Sequence, residues 1–83
     1  MYSLDISPRA KLQFKKFPKR YKEAIKEAIK AIREEPFSGK PLTRELTGKF
    51  AYKVGVYRII YRVNKKDKII QIITSGHRST VYE

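Results

Sequence analysis

The sequence predicts an α+β domain: an N-terminal strand, an antiparallel helical hairpin, and a three-stranded antiparallel meander, forming one four-stranded sheet in the chain order β-α-α-β-β-β. Three observations carry this expectation. Tyr2, Leu4 and Ile6 alternate with Ser3, Asp5 and Ser7, which is the period of a half-buried strand. Tyr21, Ala24, Ile25, Ala28, Ile29 and Ile32 recur at helical spacing and make one apolar stripe. From Phe50 onward, β-branched and aromatic residues crowd into three short runs separated by turn residues, the signature of paired strands.

Taken in order, Ser7 is placed to cap a short first helix with Pro8 at its first position, where a missing N–H costs nothing. Ala10, Phe14 and Phe17 share its inner face, and the helix ends near Phe17-Pro18. The second helix begins at about Lys19 and stops at Glu35, because Pro36 disfavours helical geometry in the residue before it. Its other face carries Lys22, Glu23, Lys26, Glu27, Lys30 and Glu34 and reads as a solvated surface with weak i,i+3 pairing. Ser38-Gly39-Lys40-Pro41 opens a loop that runs to Thr47-Gly48. Strands then span residues 50–54, 57–63 and 69–74, with breaks at Gly55 and at Asn64-Lys65-Lys66-Asp67. In the middle strand Tyr57, Ile59, Tyr61 and Val63 face the helices, whereas Arg58, Ile60 and Arg62 face away. The tail from Gly76 to Glu83 is expected to extend an edge, and residues 1–83 make a single domain without repeats or a linker.

Composition limits what such a domain can do. With 83 residues the chain has room for one core and no second domain. It has no Cys, which excludes disulfides, thiolate metal sites and a cysteine nucleophile and fits a reducing compartment such as the cytoplasm. The N-terminus lacks the apolar stretch of a signal peptide, and no run approaches the ~20 apolar residues of a membrane span. One His and scattered carboxylates argue against a catalytic metal site, so neither a metal nor another cofactor is expected. The net charge of +12 suits a polyanionic partner. Residues 1–35 hold ten Lys/Arg against five Asp/Glu, mostly interleaved on helix faces. Residues 36–83 hold ten against three, mixed with Tyr52, Tyr57, Tyr61 and Tyr82. Cations that neutralise phosphates beside tyrosines that stack on bases favour single-stranded nucleic acid.

The stretch from Leu46 through Thr47-Gly48-Lys49 and Tyr52-Lys53-Val54-Gly55-Val56-Tyr57-Arg58 to Val63, followed by Gly76-His77-Arg78 and Val81-Tyr82, resembles the RelE/ParE toxin superfamily, specifically its RelE-like members. The resemblance implies the toxin of a prokaryotic type II toxin-antitoxin pair. Such a toxin is held in check by a cognate antitoxin and cleaves mRNA on the ribosome without a metal. The ribose 2′-OH would attack the adjacent phosphate, leaving a 2′,3′-cyclic phosphate and a 5′-OH. A ParE-like inhibitor of DNA gyrase without nuclease chemistry, and an inactive RNA-binding relative, are the alternatives.

Carried over by motif, Arg58 would contact the scissile phosphate, and Arg78 would contact a phosphate or aid the leaving group. Lys53 would stabilise developing charge or act as base. Tyr82 would stack on a base or assist proton transfer, and His77 would serve in acid-base chemistry. Lys49 and Arg62 would bind RNA through its phosphates. The sequence departs from members that use a carboxylate with His, since the nearby acids are only Glu45 and Glu83. Gly55 also stands where a second lysine would lie.

Overall fold

Ser7 ends one element and begins the next. Its backbone is extended, its hydroxyl accepts from the Ala10 N–H at 3.0 Å, and Pro8 follows at the first helical position. The same hydroxyl donates to the Ile73 carbonyl at 2.7 Å, so the cap also fastens the helix to the sheet. The computed structural model describes residues 2–81. It contains strand β1 (Ser3–Ile6), helices α1 (Pro8–Lys16) and α2 (Lys19–Glu34), strand β2 (Lys40–Pro41), a 3-10 turn (Arg44–Leu46), and strands β3 (Lys49–Val54), β4 (Tyr57–Asn64) and β5 (Ile69–His77). Phe17, extended ahead of Pro18, separates the helices, and Glu35, ahead of Pro36, ends the second.

The sheet has five strands in the order β1-β5-β4-β3-β2, which corrects the expected four. The β3–β4–β5 meander is antiparallel as expected, but β1 joins β5 in parallel. Alternation in β1 marks one buried face and says nothing of direction or of which strand it joins. The extra strand, β2, is two residues paired with β3 through Lys40↔Ala51 and Pro41↔Phe50. Proline, lacking an N–H, is at home on such an edge.

The helices cover one face. Ile25, Ala28 and Ile32 of α2 meet Val54, Ile59, Tyr61, Ile70 and Ile72 of the sheet, with Ala10 and Phe17 completing the core. Phe17 stacks on Tyr57 with ring centroids 4.3 Å apart. Tyr57 and Tyr61 thus face the helices as their parity predicts, whereas Ala24 is exposed. The Lys22–Glu34 polar face is solvated, and Lys26 and Glu23 form an ion pair at 3.7 Å. No helix among the described residues is long and apolar enough to cross a membrane.

Two local devices complete the sheet. Beyond Ile72, no strand among the described residues pairs with the outer side of β5, and Gln13 of α1 takes that place. Its Oε1 accepts from the Ser75 N–H at 2.8 Å and its Nε2 donates to the Thr74 hydroxyl at 3.0 Å. The β4–β5 register shifts between Ile60 and Tyr61, so that Ile73 has no direct partner. The tail also departs from expectation. Gly76 and His77 do lengthen β5, but the chain then turns, with the N–H groups of Thr80 and Val81 both donating to the His77 carbonyl at 3.0 Å. Val81 folds back onto Ile60 and Ala51 beside Leu42. Apolar burial on the otherwise open sheet face outweighs edge extension.

Candidate functional site

The open face of the sheet carries the basic residues singled out from sequence. Gly55 sits at φ 61° in the two-residue turn between β3 and β4, a backbone region that glycine enters without a Cβ penalty. The turn sets Lys53 directly opposite Arg58, so both side chains leave the same face. Lys49 stands opposite Arg62 on that face, four residues along each strand.

Arg58 is anchored at one end of its guanidinium. Nη1 donates to the carbonyls of Gly55 and Tyr57, each at 3.0 Å. No hydrogen bond among the described residues engages its Nη2/Nε edge, which is the edge suited to a bidentate oxyanion. Arg78 reaches the same region because its backbone N–H donates to the Val56 carbonyl at 2.8 Å, fixing the start of the terminal turn against the β3–β4 turn. Lys53, Arg58 and Arg78, together with Lys40 of β2, line an open cleft of about 630 Å³ with Ser38, Gly39, Ala51 and Tyr52. Among the described residues no carboxylate lines it and none of the four cations is ion-paired. Among the described residues their like charges meet no compensating carboxylate, which favours an anionic occupant.

Lys40 is the residue that sequence reasoning missed. It sits in a short polar segment with no strand periodicity, and its one signal is a basic residue framed by Gly39 and Pro41. Its placement depends on Tyr61. That ring is fully buried, its hydroxyl donates to the Pro36 carbonyl at 2.9 Å, and it accepts from the Gly39 N–H at 3.0 Å. A Cβ on Gly39 would lie 2.5 Å from the Tyr61 hydroxyl, so only glycine lets the loop close over the ring. Burial pushes the Tyr61 phenol above its ordinary pKa, with the Gly39 N–H pulling the other way.

The remaining predicted residues fall elsewhere. His77 pairs with Tyr57 across β4 and β5, and the two rings meet edge to face at 6.1 Å. This side of the sheet faces the helices, so His77 does not line the cleft. Its Nδ1 accepts from the Ser79 N–H at 3.1 Å and lies 2.8 Å from the Ser79 hydroxyl. The imidazole therefore secures the terminal turn. Lys49 and Arg62 border a separate depression with Asp5, Ser7 and Gln71. Glu45, on the 3-10 turn, is exposed and outside the cleft. Tyr82 and Glu83 lie outside the described residues. Among the described residues no group of three or more His, Cys, Asp or Glu is gathered where it could hold a metal.

Known proteins match this chain along nearly its whole length. The family described as the ParE toxin of the parDE type II toxin-antitoxin system matches residues 4–82. Toxin RelG of Mycobacterium tuberculosis is 34% identical over 83 residues, spanning 98% of this chain and 95% of that protein. A chain of the RelBE2 toxin-antitoxin complex from Mycobacterium tuberculosis superposes with a TM-score of 0.83 at 34% identity, covering 93% of this chain and 98% of that one. A chain of the archaeal RelE-RelB complex from Pyrococcus horikoshii gives 0.78 at 27% identity, with coverage of 96% and 98%. Family match, sequence identity and fold agree, and the chain belongs to the RelE/ParE superfamily of type II toxins.

Proposed function

We propose that this toxin is a ribosome-dependent mRNA endonuclease that works without a metal. The observation that carries the reading is the cleft in which Lys40, Lys53, Arg58 and Arg78 converge with no carboxylate among the described residues. Cleavage by the ribose 2′-OH needs three things: removal of its proton, stabilisation of charge on the phosphorane, and protonation of the departing 5′-oxygen. The uncommitted Nη2/Nε edge of Arg58 meets the second need, because a guanidinium fork held by two carbonyls is oriented before substrate arrives. Lys53, opposite Arg58 on the same face, is the group placed to share the phosphorane charge as an ammonium or, as the neutral amine, to receive the 2′-OH proton. Arg78 contacts the phosphate or assists the leaving oxygen. The 2′,3′-cyclic phosphate and 5′-OH ends follow from attack within the ribose. His77, turned to the helix side, acts on the site through the terminal turn and not on the substrate.

The dependence on ribosomes is part of the same reading. An open basic cleft binds a strand but has little means to distort it, so a second body must present the mRNA in a reactive geometry. Ribosomes place this activity in the cytoplasm. A cognate antitoxin neutralises the protein, as the relatives solved as toxin-antitoxin complexes suggest, and an acidic segment would complement the +12 surface. The ParE description of the matching family favours a second reading, inhibition of DNA gyrase without nuclease chemistry.

Controlled expression in bacterial cells separates them. The nuclease reading expects growth arrest by the native chain and relief by Arg58→Ala and by Arg78→Ala, with both variants folded. Full arrest by both variants, together with loss of supercoiling by purified gyrase, would establish the second reading instead.

A further inference from the structure

Outside the cleft, the same sheet face carries a second cross-strand cation pair, Lys49 opposite Arg62. The β3–β4 ladder runs from Lys49↔Arg62 to Val54↔Tyr57 without a register shift. The two pairs are therefore four residues apart on both strands, about 13 Å at roughly 3.3 Å per residue. Between them lie Ala51 and Ile60, 6% and 3% exposed, roofed by Leu42 from one side and Val81 from the other. This is an apolar saddle flanked by positive charge at both ends. A depression of about 370 Å³ adjoins the outer pair, lined by Asp5, Ser7, Gln71 and neighbours. Its single acid, Asp5, pairs with Gln71 of β5, which in turn pairs with Arg62. Two strand spacings, about 10 Å, separate the backbone of Asp5 from that of Arg62. Among the described residues Asp5 makes no ion pair, and with two cations to one carboxylate the depression keeps a net positive charge.

We infer that Lys49 and Arg62 form a second phosphate subsite. The open face then holds a single RNA strand at two points, and the nucleotides between them cross the Leu42/Val81 saddle. This inference rests on the ribonuclease reading and adds to it the length and path of the substrate. An extended strand covers about 13 Å in about two nucleotides, so the outer pair grips the chain on one side of the scissile phosphate held by Arg58. The side chains of the saddle offer a base edge no hydrogen-bond donor or acceptor, so this stretch is bound through its backbone and not read in sequence.

The test is the salt dependence of binding to an eight-nucleotide 2′-O-methyl RNA, which cannot be cleaved, followed by fluorescence anisotropy. Lys49→Gln/Arg62→Gln removes both charges while keeping part of each aliphatic stem. Lys15→Gln/Lys22→Gln removes the same charge from the helical side, and melting curves verify that both variants fold. Each phosphate contact on a single strand contributes about 0.7 to the slope of log affinity against log salt. The Lys49/Arg62 variant is therefore expected to lose about 0.7 to 1.4 in slope, and the helix-side variant none. Equal losses in both variants, or no loss in the first, would overturn the subsite and leave the nuclease reading standing. Native protein that cuts ribosome-bound mRNA yet shows no salt-dependent binding to the oligonucleotide also overturns the subsite alone. Failure of the native chain in both assays removes the ribonuclease reading with it.

Discussion

Removing the Tyr61 hydroxyl probes the link between core and cleft. Tyr61→Phe keeps the buried ring but leaves the Gly39 N–H and the Pro36 carbonyl without the partner that each now has at 3.0 and 2.9 Å. An unsatisfied buried polar group costs about 1 to 3 kcal/mol, and both Pro36 and Gly39 are buried. For the two groups together the loss should be about 2 to 6 kcal/mol, set against a total stability of about 4 to 12 kcal/mol for a chain of this size. Urea unfolding would show it directly, and the melting temperature would drop by roughly 10 to 35 °C. The pH dependence gives a second reading of the same contact. Because burial raises the Tyr61 pKa in the folded state, its contribution is complete below the ordinary tyrosine value and declines as pH rises past about 10. Tyr61→Phe should lack that part of the alkaline loss. Gly39→Ala should destabilise the native chain strongly and the Tyr61→Phe chain less, since the atom 2.5 Å from the new Cβ is the missing hydroxyl. A Tyr61→Phe protein within about 0.5 kcal/mol of native would refute the bracket.

Further expectations concern the site and its supports. Arg58→Lys retains the charge but loses the fork, and both it and Arg58→Ala should lower the rate of mRNA cleavage by about 10²- to 10³-fold. Their unfolding free energies should stay close to native, because the side chain is only half-buried. Gln13→Ala removes the acceptor of the Ser75 N–H and should cost about 1 to 3 kcal/mol, with amide exchange accelerated first at Ser75. Val81→Asp would place a carboxylate against Ile60 and Ala51. It should release the terminal turn, seen as fast exchange at Thr80 and Val81, and reduce cleavage through loss of the Arg78 position.

The parts of the fold legible in the sequence are those decided locally. Ser7-Pro8, Phe17-Pro18 and Glu35-Pro36 set helix boundaries through backbone sterics and capping, and all three hold in the structure. Gly55 fixes a tight hairpin, so the Lys53–Arg58 juxtaposition follows from period and turn length alone. What was not legible depends on distant partners. β2 is too short to show a period, and it exists because Tyr61 and β3 draw Gly39 and Lys40 onto the sheet. Val81 reads as an ordinary edge residue until Ile60 is found beneath it. The side taken by His77 follows from its pairing with Tyr57, and the β-bulge at Ile73 makes strand parity a poor guide along β5. Lys40 escaped notice for the same reason as β2.

Cleavage of mRNA on the ribosome by the cationic cleft is the proposed activity. Its most direct test is 5′-end mapping of mRNA in a translating extract given purified protein, with and without active ribosomes, beside Arg58→Ala. Cuts at a fixed position within codons, bearing 5′-OH ends, dependent on ribosomes and absent with Arg58→Ala, are the predicted result. Intact mRNA in the presence of folded native protein and active ribosomes would contradict it.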